Sequence, residues 1–230
     1  MTLNLNEILD CVDGDLIVEG SKKFLNGISI DTRKISDEQI FLAISGKNFD
    51  GNKYVIDALK KNVKLCIIDK KIFDCDELKK FDVSIIFVEN TLIALEKLSI
   101  LVRSKLDIDI IGVTGSVGKT TTKDLIFDFL SCKYKVYKNP GNFNNHLGMP
   151  ISLINISDDA EVGIFELGMS NLGEIDYLSR ILKPNIAVIT NIGVSHIEFL
   201  ETQENILKAK CEIVNYFGEE DILILNNEDF

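Results

Sequence analysis

The sequence predicts an α/β protein: a small α/β domain over residues 1–107, then a parallel-sheet domain over residues 108–230 that is incomplete at its C-terminal end. Three observations carry this. After Asp107, short apolar runs alternate with helical patterns, the rhythm of strands and crossover helices in a parallel sheet covered on both faces. Before it, strand-like runs are mixed with only two helical stretches. The first strand of the second region also runs straight into a glycine-rich turn that opens a helix.

In the first region, strands are expected over 27–30, 40–44, 65–69 and 84–89. Helical spacing follows Asp50 and Gly51, through Tyr54, Val55, Ala58 and Leu59. A second helix is expected over 92–106, where Leu92, Leu95, Leu98, Val102 and Leu106 keep close to a helical period behind Thr91 as capping residue.

The second region reads as strand 108–114, helix from Lys119, strand Val162–Glu166, helix Glu174–Leu182, strand 186–191, helix 203–217 and strand Ile222–Leu225. Apolar runs such as Ile186-Ala187-Val188-Ile189 fit strands buried on both sides. In such sheets ligands sit beyond the carboxyl ends of the strands. No repeat or Gly/Ser-rich linker is visible, so the boundary near residue 107 rests on the change of rhythm. The last strand is followed at once by Asn226 to Phe230, so it is expected to be an edge or to lack its next element.

With 46% hydrophobic and 27% charged residues and three Pro, the 230-residue chain has a globular composition. Its 25 Lys+Arg against 36 Asp+Glu give −11, which disfavours nucleic acid and anionic membranes as partners, so any anionic ligand must be held locally. No apolar run approaches the roughly 18 residues of a membrane span. The start from Met1 to Asp10 lacks the basic flank of a signal peptide, and a cytoplasmic location is expected. Five scattered cysteines (Cys11, Cys66, Cys75, Cys132, Cys211) without metal spacing read as reduced thiols.

The strongest motif is Gly112-Val113-Thr114-Gly115-Ser116-Val117-Gly118-Lys119-Thr120-Thr121 between a strand and a helix, the context of a P-loop. Backbone N–H groups of such a turn cradle phosphates, the lysine neutralises them and the threonine hydroxyl reaches Mg²⁺. Val113 stands where the general pattern has glycine, and no guanine-specific NKxD box accompanies it, which favours ATP over GTP. Glu166 closes an apolar strand at the ligand-facing edge, either as a solvated strand end or as a ligand for a hard cation. His196 follows the next strand at the same edge, where it reads as a structural side chain or as a second metal contact. Lys210, between Ile206 and Ile213, falls on the core face of its helix: a snorkelling stem, or a desolvated lysine whose neutral amine is open to modification or metal duty. The stretch Asn139 to Pro150 holds four Asn before a helix with Pro150 at its first position; it is a polar turn, or a source of carboxamides for phosphate and sugar oxygens.

Together the segment Thr114 to Thr121, the loop Asn144-Asn145-His146-Leu147-Gly148-Met149-Pro150, Glu166-Leu167-Gly168-Met169-Ser170 with Gly173-Glu174-Ile175, Thr190-Asn191-Ile192-Gly193 with His196, and Ala209-Lys210 resemble the Mur ligase family. In the first domain, Asp31-Thr32-Arg33, Phe41 to Ile44 and Gly46 through Gly51 are similar to its uridine-nucleotide site. The resemblance implies that Gly115, Ser116, Gly118, Lys119, Thr120 and Thr121 bind ATP, with Thr120 and Glu166 on one Mg²⁺. Glu166, His196 and Lys210 would serve a second Mg²⁺, with Lys210 as its N-carbamate. Lys119, Glu166, His196 and Lys210 are then the catalytic set. Thr32, Lys47 and Asn48 would surround the uracil, and Asn144 and Asn145 would meet the substrate near the centre.

The implied reaction joins D-alanyl-D-alanine to UDP-N-acetylmuramoyl-tripeptide through an acyl phosphate, in a monomeric cytoplasmic enzyme of peptidoglycan precursor synthesis. Family members continue beyond the end of this sequence, so the chain by itself is expected to ligate negligibly. The alternatives are another ligase of the family or a non-catalytic nucleotide-sugar-binding piece. A P-loop kinase or nucleotidase would leave the uridine-site resemblance unexplained.

Overall fold

Apolar runs too short to stand alone pair into two five-stranded sheets, one in each half of the chain, and Thr2–Asn4 pairs antiparallel with Phe24–Asn26 as a third, two-stranded sheet. The computed structural model describes residues 2–46, 49–71, 78, 80–193 and 197–228, and the chain divides into two units, Met1–Val102 and Arg103–Phe230. The first unit comprises β1 (Thr2–Asn4), α1 (Leu5–Val12), β2 (Asp15–Val18), β3 (Phe24–Asn26), β4 (Ile28–Ser29), β5 (Ile40–Leu42), a 3-10 turn at Gly51–Tyr54, α2 (Val55–Lys60), β6 (Leu65–Ile68), β7 (Ser84–Phe87) and most of α3 (Thr91–Lys105). Its main sheet has the order β2-β7-β6-β5-β4. Strands β4 to β7 run parallel, and β2 joins β7 antiparallel. Every residue of β6 is buried, and burial pushes the Cys66 thiol far above its ordinary value. Phe41, Val55, Ala58, Leu59, Cys66 and Ile85 meet in one core on this sheet.

The second unit contains β8 (Asp109–Thr114), α4 (Lys119–Leu130), β9 (Val136–Lys138), α5 (Gly148–Ile154), β10 (Val162–Glu166), α6 (Glu174–Leu182), β11 (Ile186–Ile189), α7 (Ile197–Leu200), α8 (Gln203–Cys211), a 3-10 turn at Glu212–Val214 and β12 (Ile222–Leu225). The sheet order is β12-β11-β8-β10-β9, parallel throughout. The central strand β8 therefore ends between the carboxyl ends of β10 and β11. Glu166 pairs in register with Val113, and Ile189 with Thr114. The apolar strand β12 lies at the sheet's edge with all four residues exposed.

Several local expectations are corrected. Asn90, not Thr91, caps α3: its Oδ1 accepts from the N–H groups of Leu92 and Ile93. Thr91 lies inside the helix and donates to Asp69 at 3.1 Å. The helix from Gln203 ends at Cys211 and tightens into the 3-10 turn, where it was expected to run on to residue 217. Helix α5 begins two residues before Pro150. The elements β1, β2, β3, β9, α1 and α7 have no counterpart in the sequence reading: strands and turns of three or four residues show no period, whereas α1 was passed over although Asn4 and Glu7 form a capping box and Leu5, Ile8 and Val12 share its buried face.

Candidate active site

Beyond β8 the chain turns through Gly115 to Gly118 into α4. Gly118 takes φ +82°, a left-handed conformation suited to glycine. At Gly115 (φ +148°) a Cβ would collide with the Thr190 hydroxyl, so the loop passes tightly against the segment after β11. That segment braces the turn. Ser116 N–H donates to the Asn191 carbonyl (3.0 Å), Val117 N–H to Asn191 Oδ1 (2.9 Å), and Thr190 Oγ1 to the Val117 carbonyl (2.6 Å). The backbone donors left over for a ligand are those of the first turn of α4, whose N–H groups have no intrahelical acceptor.

Lys119 folds back over the loop, its Nζ donating to the carbonyls of Gly115 (2.8 Å) and Ser116 (3.4 Å). Burial draws its pKa below the ordinary lysine value, with Glu166 opposing. Thr120 Oγ1 donates to Glu166 Oε2 at 2.7 Å, which joins the P-loop helix to the end of β10. The Glu166 carboxylate is 3% exposed, and its other oxygen accepts from Asn144 Nδ2 at 2.9 Å. A hydroxyl and a carboxylate side by side are the hard oxygen donors that Mg²⁺ takes. Among the described residues, no group of three or more His, Cys, Asp or Glu side chains is placed to hold a metal.

The Asn-rich stretch is an internal brace as well as a loop. Asn139, fully buried, accepts from Glu166 N–H on Oδ1 (2.9 Å) and donates from Nδ2 to the Phe143 carbonyl (2.7 Å). Asn145 Oδ1 accepts from the N–H groups of Leu147 and Gly148 at the entry to α5. Lys123, which sequence reasoning passed over, is 2% exposed, donates to the Asn139 carbonyl at 3.0 Å and lies 3.9 Å from Glu166 Oε2. The signal was available: Lys123 follows Lys119 by one turn on the face of α4 that carries Phe127 and Leu130.

Lys210 is 1% exposed on α8, among the buried Ile206, Ala209 and Ile213. Its Nζ makes no hydrogen bond among the described residues. Burial first, and the charge of Lys119 second, pull its pKa down to about 8. Thr121 follows Thr120 in the first turn of α4. His196, Lys47 and Asn48 lie outside the described residues.

In the first unit, Thr32 lines a cavity of about 440 Å³ with Ile30, Asp31, Arg33, Phe49 and Tyr54. Phe49 and Tyr54 are exposed and stack on each other, 5.6 Å between centroids at 12°. The Arg33 guanidinium grips Asp31 through two nitrogens (2.9 and 2.8 Å) and holds its carboxyl well below the usual carboxylate range. The loop that carries Phe49 is tied down at its base: Ser45 Oγ and Asn52 Nδ2 both donate to Asp69 Oδ1, at 2.9 and 2.7 Å.

A parallel sheet whose central strand feeds a glycine-lined turn, a lysine and a paired Thr–Glu defines the second unit as a P-loop α/β fold. The chain belongs to the Mur ligase family: residues 113–230 match the Mur ligase middle domain, and residues 25–102 match the Mur ligase family catalytic domain. The UDP-N-acetylmuramoyl-tripeptide–D-alanyl-D-alanine ligase of Bacillus subtilis (strain 168) is 42% identical over 200 residues, 87% of this chain and 43% of that protein. Among solved structures, MurF from Acinetobacter baumannii superposes with a TM-score of 0.86 at 27% identity, covering 98% of this chain and 49% of that one. MurF ligase from Thermotoga maritima in complex with ADP gives a TM-score of 0.77 at 32% identity, over 89% of this chain and 46% of that one. The chain thus spans about half the length of the relatives it matches.

Proposed function

We propose that this chain supplies the ATP site and the nucleotide-sugar-peptide site of an ATP-dependent amide ligase. That enzyme joins D-alanyl-D-alanine to UDP-N-acetylmuramoyl-tripeptide, as a monomer in the cytoplasm, for peptidoglycan precursor synthesis. The observation that carries this reading is the Thr120–Glu166 pair immediately beyond the central strand, in a chain 42% identical to a ligase of that name.

In the proposed reaction the γ-phosphoryl group of ATP passes to the terminal carboxylate of the UDP-linked tripeptide, giving an acyl phosphate. The dipeptide amine attacks the acyl carbon, the amide forms and phosphate leaves. Gly115, Ser116, Gly118 and Thr121, with the first turn of α4, hold the phosphates, and Lys119 brings positive charge to the group in transfer. The donor set of Thr120 and Glu166 fits Mg²⁺, which when bound neutralises charge on the phosphoryl oxygens. Glu166, His196 and Lys210 are assigned to a second Mg²⁺. A buried lysine with a pKa of about 8 and no partner among the described residues supports this, since its neutral amine can add CO₂ and lose a proton to become a carbamate anion.

Thr32, Lys47 and Asn48 are assigned to the uridine, beside the cavity that Phe49 and Tyr54 line. Asn144 and Asn145 are assigned to the substrate through the amide atoms their internal bonds leave over, Oδ1 of the first and Nδ2 of the second. Calorimetric titration with ADP and Mg²⁺ tests the ATP site. Lys119→Ala is expected to bind about 10- to 100-fold more weakly, the range for losing a charged hydrogen-bond donor, with an unchanged far-UV spectrum. Equal affinity for the two proteins removes the P-loop from the mechanism.

A further inference from the structure

We propose that Lys123 is a positioning residue: a fixed buried charge that holds the Glu166 carboxylate in place for a divalent cation arriving with the nucleotide. The inference rests on the nucleotide reading above but concerns a residue that the P-loop pattern does not include.

The geometry separates the charge of Lys123 from its protons. Its Nζ donates to the Asn139 carbonyl at 3.0 Å and stands 3.9 Å from Glu166 Oε2, beyond hydrogen-bond length. The ammonium therefore compensates the carboxylate without occupying one of its lone pairs. A carboxylate offers about four acceptor positions. Thr120 Oγ1 uses one on Oε2 and Asn144 Nδ2 one on Oε1, so room remains for a cation.

Burial makes the compensation necessary. Glu166 and Lys123 are 3% and 2% exposed, and a carboxylate that far from water needs a partner charge. Lys119 feels the Glu166 charge from farther off, since its Nζ is directed at the loop carbonyls of Gly115 and Ser116 and not at the carboxylate. Among the described residues, Lys123 is the cation in ion-pair range of Glu166. Asn139 completes the device: its carbonyl fixes Lys123 while its Oδ1 accepts from Glu166 N–H. The same residue thus sets the position of both charges. The helix that brings Thr120 also brings Lys123, so the two elements that would grip the metal are held in register before it arrives.

Three substitutions separate charge from packing. Lys123→Gln keeps a donor for the Asn139 carbonyl but no charge, Lys123→Met keeps neither, and Lys123→Arg keeps both. Binding of ADP is measured by calorimetry with Mn²⁺ and again with EDTA, with circular dichroism to follow folding. The proposal expects Lys123→Gln and Lys123→Met to lose tenfold or more in affinity for ADP with Mn²⁺ while staying within twofold of wild type in EDTA, and Lys123→Arg to restore the metal-dependent part. Wild-type affinity in Lys123→Gln with Mn²⁺, an equal loss with and without metal, or no recovery in Lys123→Arg overturns it. A Lys123→Gln chain that does not fold assigns the lysine to the core and overturns it as well. Failure of the wild-type chain to bind ADP at all rejects the nucleotide reading itself, a different result from any of these.

Discussion

Lys119, Lys123 and Lys210 are all drawn into the second unit by helices whose inward faces they share, and each answers burial differently. Lys119 spends its protons on loop carbonyls, Lys123 sits beside a carboxylate, and Lys210 has neither. Its pKa of about 8, against an ordinary 10.5, is the result. The unfolded amine titrates near 10.5, so between about pH 8 and 10.5 the unfolded chain binds the extra proton and stability rises with pH; below 8 the penalty is fully present. Lys210→Met is therefore expected to raise the thermal midpoint at pH 7 in bicarbonate-free buffer, by ~2–4 °C for each kcal/mol recovered. The gap should close as pH climbs through that window. A gap that does not change with pH would show that the lysine is not desolvated. The core-face position of Lys210 was legible from Ile206 and Ile213 at helical spacing. Lys123 was not found because the motif stopped the reading at Thr121, although the same spacing argument applies to it. The bond from Asn144 to Glu166 spans 22 residues, and no local period reports a partner that far along the chain.

The apolar face of α6 made it legible, and it begins and ends where the sequence placed it, whereas α1 was passed over although Leu5, Ile8 and Val12 give it a buried face of the same kind. What holds the ends of α6 was not legible. Gly173, the residue before α6, gives no side-chain cap, and Glu212, 39 residues away, supplies one. Its carboxylate accepts from the N–H groups of Gly173 (2.8 Å) and Asp176 (3.0 Å). At the other end, Arg103 donates to the carbonyls of Leu182 (2.6 Å) and Lys183 (3.1 Å). A negative group at the helix N-terminus and a positive one at its C-terminus both oppose the macrodipole. Glu212→Ala is expected to cost about 1–2 kcal/mol, the range for a lost N-cap with its charge, and to lower the thermal midpoint by several degrees. Lys208→Ala, an exposed i,i+4 partner of Glu204, serves as the control that should change it little. If Glu212→Ala melts with the control, the carboxylate is not a cap.

Strand order is the property of the whole molecule that periodicity conceals. Each of β8, β10, β11 and β12 could be read as a buried or edge strand, but that β9 lies outside β10 and that β8 is central follows from crossovers that carry no local pattern. The consequence is functional: because β8 is central, its turn opens between two strand ends, and Glu166 and Thr190 reach it from opposite sides. The first unit has its own sheet and core and a separate cavity around Thr32. Two ligands should therefore leave two distinct signatures in hydrogen exchange. At 100 times its dissociation constant, a ligand that binds only the folded state stabilises it by about 2.7 kcal/mol. Amides near the site gain most, through loss of local opening. ADP with Mg²⁺ is expected to slow exchange most across residues 112–122 and the ends of β10 and β11, and UDP most across residues 28–54. Strongest protection of 28–54 by ADP, or of the P-loop by UDP, would reverse the assignment of the two sites.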